Sequence, residues 1–174
     1  MSTWTEIDRK DAPASNVFDF ASLTLTGYIA IQIVCSGITV TTDGTDIKLT
    51  FYVSGSEVTS GYRWSNQTVG SNGTTGVDDA STSAAAILLV SDNANNDVGN
   101  DTGEGFGCVI TVDNPLSSAL YKKAGFHCVF TAPTGATFGS TGIGIMENAG
   151  AITGLKISGT SNLTAGKVRV LGIA

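Results

Sequence analysis

A chain of 174 residues, 41% of them apolar, can bury one substantial core, and one domain is its simplest organisation. Only 14% of the residues are charged, against about a quarter in ordinary globular proteins, so the surface must be covered by Thr, Ser, Asn and Gly or hidden against other chains. A formal net charge of −6 offers no basic stripe for phosphates and so excludes nucleic acid as the expected partner, and no apolar run reaches membrane-spanning length.

Residues 1–16 are polar, contain Pro13, and read as an N-terminal arm ahead of a domain over residues 17–174; Trp4 and Ile7 are its candidates for contact with a neighbouring chain. The arm has no apolar core of a secretion signal, so synthesis in a cytoplasm is expected. Phe18, Phe20, Leu23 and Leu25 open the sheet. Over residues 28–35, Ile29, Ile31, Ile33 and Cys35 alternate with Tyr28, Ala30, Gln32 and Val34, which predicts a strand with one strongly apolar face. Asp43-Gly44 predicts a tight reversal. Beyond it Ile47, Leu49, Phe51 and Val53 alternate with Lys48, Thr50 and Tyr52 as a second strand.

Tyr62 and Trp64 share a face opposite Arg63. Residues 65–83 are polar and glycine-rich and read as a long loop or a loop with a short strand, residues 85–90 return to the sheet, and residues 91–105 form a second long loop rich in Asn, Asp and Gly. A strand over 106–112 ends at Asn114-Pro115, another over 126–131 ends at Pro133, and a short one covers 143–146. Ile152, Leu155 and Ile157 make the next strand. Val168 and Val170, alternating with Lys167 and Arg169, make the last. Short strands separated by turn signals, 22 glycines and no fixed-period repeat predict an all-β fold, a sandwich or barrel of about nine or ten strands.

The order of these signals resembles bacteriophage virion jelly-roll proteins of the capsid decoration, head-fibre and tail-fibre-tip kind. The residues that carry the resemblance are YIAIQI at 28–33, IKLTFYV at 47–53, Gly61-Tyr62-Arg63-Trp64, GFGCVITVDNP at 105–115, and ITGLKIS and KVRVLGIA in the C-terminal pair; it spans residues 18–174. It implies a jelly-roll-like antiparallel β-sandwich of about 8–10 strands, serving as a non-enzymatic structural protein on the exterior of a virion, usually a homotrimer, with the major capsid protein or another virion protein as partner. No long shaft precedes the domain, which favours a decoration or cement protein anchored by its arm. The alternative is a receptor-binding tip recognising host surface glycans through the loops at 65–83 and 91–105.

Candidate chemistry is sparse. His127, the only histidine, lies between Phe126 and Cys128, whose side chains a strand sends to the opposite face, so neither a Ser-His-Asp nor a Cys-His pairing is favoured. The glycine-rich stretch at 134–144 lacks the glycine register and following helix of a dinucleotide loop, and reads as turn and strand. Asp92, Asp97, Asp101 and Glu104 supply hard oxygen ligands among glycines 99, 103 and 105, a weak Ca²⁺ candidate whose spacing is not that of an EF-hand. No cofactor is expected. Tyr62, Arg63 and Trp64 could form a sugar-stacking surface, although the alternation places both aromatics toward the core; Trp4 and residues 121–123 are the other polar-aromatic surfaces for contacts. Asp78 and Asp79, adjacent in sequence, diverge in an extended chain and do not make a paired-carboxylate site. Cys35, Cys108 and Cys128 sit in strand-like settings and read as buried free thiols, with a disulfide between two of them as the other arrangement.

Overall fold

The computed structural model describes residues 3–11, 13, 15–71, 77–90 and 97–174. These residues form thirteen strands: β1 (Thr5–Lys10), β2 (Val17–Phe20), β3 (Ala30–Val40), β4 (Ile47–Val53), β5 (Ser56–Glu57), β6 (Tyr62–Gly70), β7 (Val77–Ala84), β8 (Ile87–Leu88), β9 (Phe106–Asp113), β10 (Lys122–Thr131), β11 (Thr137–Met146), β12 (Ile152–Gly159) and β13 (Leu163–Ile173). An eight-stranded sheet runs β1-β13-β3-β9-β10-β11-β6-β7, and a smaller sheet runs β2-β12-β4-β5 with β8 also on β4. Every pairing is antiparallel. The fold is therefore the expected all-β, jelly-roll-like sandwich, with residues 87–88 returning to the sheet as expected and β1, β7 and the two-residue strand β5 adding to the strands legible in the hydrophobic pattern.

Period-2 alternation decides which side chains enter the space between the sheets. All seven phenylalanines of the sequence are buried. Phe106, Phe130 and Phe138 stand opposite one another on β9, β10 and β11, with ring centroids 6.4 and 5.8 Å apart, so three neighbouring strands are joined by one aromatic row. The smaller sheet supplies Phe18, Phe20, Leu49, Phe51, Leu155 and Ile157 to the same core.

Turn chemistry follows the sequence where backbone sterics demand glycine. Gly44 adopts φ 68° in the predicted reversal. Gly166, at φ 116°, marks an irregularity in β13 where a Cβ would lie 2.7 Å from the Ile38 Cα. Only glycine lets the last strand cross β3 that closely.

Three expectations need correction. The N-terminal segment is not merely an arm, because Thr5–Lys10 pairs with β13 as an edge strand of the large sheet, and Ile7 rests partly buried against the core. Where they are described, residues 65–83 are neither a long loop nor a loop with one short strand. They belong largely to β6 and β7, which pair with each other, and β6 pairs with β11 as well. Asn66 and Thr68 take inward positions where an apolar residue would have announced a strand. Finally, Cys108 and Cys128 are joined by a disulfide, their Cα atoms 4.1 Å apart, since β9 and β10 set them directly opposite on the core side. Cys35 is opposite Cys108 on β3 and remains a buried thiol, pushed up to about 12 by burial.

Candidate functional site

The residues singled out from the sequence are not gathered into one place. Trp4 stands exposed just ahead of β1. Tyr62 is fully buried on β6, where its hydroxyl accepts from the Phe51 N–H at 2.9 Å and donates to the Val58 carbonyl at 3.1 Å. Burial pushes this phenol up to about 12. Trp64 is also a core residue, while Arg63 points outward into an ion pair with Glu147 at 2.8 Å. The alternation of one strand thus separates the three and leaves no sugar-stacking face there.

The acidic loop divides as well. Asp92 lies outside the described residues, Asp97 is buried with its interactions made within the fold, and the Glu104 carboxylate is taken up by the Asp101 backbone. The Asp101 N–H donates to Glu104 Oε2 at 2.8 Å, and the Glu104 N–H donates to the Asp101 carbonyl at 3.0 Å. Asn100 ties this turn to the β3–β4 reversal, its N–H donating to Asp43 Oδ1 and its Nδ2 to the Thr41 carbonyl. Among the described residues no group of three or more His, Cys, Asp or Glu side chains converges on a point that could hold a metal ion.

His127 projects outward from β10, 3.0 Å from Thr141 Oγ1 and opposite Val109, while Cys128 turns inward. The stretch at 134–144 enters β11 as turn and strand. Asp78 accepts from Gln67 Nε2 at 3.0 Å, and with Asp79, Ser65 and Ile143 it lines an open depression of about 470 Å³.

The best-built feature is the loop between β9 and β10, where residues 121–123 were expected to offer a polar-aromatic surface and the burial of Lys122 was missed. Lys122 is buried, and its Nζ donates to the carbonyls of Ser117, Leu120 and Ala149, the last two at 2.8 and 3.2 Å. Burial pulls this ammonium below its ordinary value. The signal was present: Lys122 continues the inward series Ala124, Phe126, Cys128 and Phe130. The staple holds Leu120 and Tyr121 out in solvent beside a depression of about 430 Å³ that Asp113, Asn114 and Lys123 also line. Asp113 and Lys123 face each other across β9 and β10.

Comparison with family models, with curated proteins and with solved structures gives no match to this chain.

Proposed function

We propose that the protein is a non-enzymatic structural component of a bacteriophage particle, displayed on the virion exterior as a capsid decoration or cement protein. In this reading it assembles as a homotrimer and attaches through its N-terminal segment to the major capsid protein or another virion protein. The resemblance of its strand series to virion jelly rolls suggests the class. The observation that carries the mode of attachment is β1: it lies at the free edge of the large sheet with one neighbour only, and Trp4 stands exposed at its head. An edge strand offers unpaired backbone groups to another chain, and an exposed indole supplies apolar contact area beside them.

Electron cryo-microscopy of the native particle tests the reading directly, with trimeric density on the capsid lattice as the expected result and absence from the particle as the result that overturns it. Deleting residues 1–11 removes only an edge strand, so the sandwich is expected to fold and to lose particle association; retained association refutes the anchoring role.

A second reading, a receptor-binding tail-fibre tip that contacts host surface glycans, is favoured by one feature. The stapled β9–β10 loop presents the Tyr121 ring beside Asp113, Asn114 and Lys123, an aromatic face with acceptors and donors suited to a hydroxyl-rich ligand. Density at the tail tip alone selects this reading over the first.

A further inference from the structure

The outer face of the large sheet is unlike a wetted β-surface. Val69, Val109, Val129 and Ile143 project from β6, β9, β10 and β11, and Val69, Val129 and Ile143 are 53%, 60% and 58% exposed. They make up four of the nine large hydrophobic side chains exposed among the described residues. The positions between them on the same face carry Thr, Ser, Gln and the single histidine. The charges of these strands are confined to one end, where Arg63, Lys123 and Asp113 lie, and Asp78 and Asp79 lie on the outlying β7. A chain of net charge −6 thus keeps the middle of its broadest face uncharged.

Three outward positions on this face are glycine, in the middle of strands where glycine weakens the ladder. Gly125 and Gly139 have no atom within 4 Å of where a Cβ would stand, and Gly107 has only backbone oxygens at 3.6 and 4.0 Å. None of the three has a positive φ. Packing inside the molecule therefore gives no reason for them. Gly142 and Gly144 on the same β11 differ, because a Cβ there would lie 2.5 Å from the Ser65 carbonyl oxygen and 2.5 Å from Ile87 Cδ1. Glycines without an internal cause lower the surface and let a second backbone approach it.

We infer that the outer face of β3, β9, β10, β11 and β6 is the contact between copies of this chain. Five strands at about 4.8 Å spacing and eight residues at about 3.3 Å give a flat area near 600 Å². Its accessible area is larger, on the scale of the roughly 800 Å² per partner that a stable interface buries. An uncharged face is also compatible with itself, whereas a charged one of this size would repel its copy. The inference shares with the proposed function only the premise of self-association.

The test is sedimentation of the full chain at tens of micromolar, for the wild type, the double variant V129D/I143D, and L120D on the β9–β10 loop. Both substituted face positions are more than half exposed, so circular dichroism and thermal unfolding are expected to remain native. Two carboxylates set against their copies are expected to weaken association at least ~100-fold, while L120D leaves it unchanged. G125A, whose Cβ meets nothing inside the molecule, is expected to keep its stability and lose association. A monomeric wild type, association that survives V129D/I143D, or association lost through L120D instead would overturn the inference. A dimer sensitive to V129D/I143D would uphold this face and retire the trimer of the proposed function, and particle binding, measured separately, decides the virion role.

Discussion

Tyr62 makes the fold sensitive to alkali in a way that one substitution isolates. Its hydroxyl bridges the Phe51 N–H and the Val58 carbonyl inside the core. Burial, offset only in part by the Phe51 N–H, pushes it from 10.0 up to about 12. Ionisation would remove the proton donated to Val58 and set a phenolate against that carbonyl. The folded state therefore holds the proton more tightly than the unfolded chain, so the associated stability is fully present below pH 10 and is lost as pH rises toward about 12. Two pH units at 1.36 kcal/mol each give about 2.7 kcal/mol. Tyr62→Phe removes this dependence, and near neutrality it leaves the Phe51 and Val58 groups without their partner, at a cost of about 1–3 kcal/mol. Urea unfolding followed by circular dichroism across this range measures both effects. Tyr52, also held at about 12 by burial first and then by its hydrogen bond to Asp19, keeps part of the alkaline loss in the variant. Parallel stability curves for the variant and the wild type above pH 10 would refute the argument.

Lys122→Met keeps the buried stem and removes the ammonium that joins three carbonyls. The expected loss is about 2–4 kcal/mol in urea unfolding, with faster proteolysis of the β9–β10 loop, and a change below about 1 kcal/mol would show that the staple is dispensable. Reduction of the Cys108–Cys128 disulfide, which closes a sequence separation of 20, is expected to cost about 3 kcal/mol by loop-closure entropy. Unfolding of Cys35→Ala with and without dithiothreitol measures it, since only one pairing remains in that variant; equal stabilities would refute it.

The fold was legible where inward positions are apolar. Alternating Ile and Phe side chains mark β3 and β4, and Val168 and Val170 mark β13. The hairpin of β6 and β7 was not legible, because the ladder that defines it is a backbone property and its inward side chains include Asn66 and Thr68. The edge strand β1 was hidden for a related reason: with one neighbour and one partly buried apolar residue, Ile7, its sequence differs little from that of a solvated arm. The candidate interaction residues Tyr62 and Trp64 proved to be core because alternation fixed their face, whereas the opposition of Cys108 and Cys128 depended on a register that no local pattern encodes.

The strands β6 and β11 depart from the usual polarity of a sheet at a few positions between their buried aromatic residues. Inside, Asn66 uses its Nδ2 on the Val90 carbonyl at 2.7 Å, while Asn66 Oδ1, Thr68 Oγ1 and Ser140 Oγ have no hydrogen-bond partner among the described residues. Thr68 and Ser140 are direct cross-strand partners, and Asn66 follows on the same face. Outside, the same two strands carry Val69 and Ile143 in solvent. Buried oxygens without partners weaken the inner packing, and exposed aliphatic side chains leave hydrophobic stabilisation unrealised. A second copy laid on the outer face would bury Val69 and Ile143 on the same strands that carry these unpartnered oxygens. If copies of the chain associate through this face, as inferred above, the large sheet is covered on both sides and the polarity of this strand pair has a physical reason.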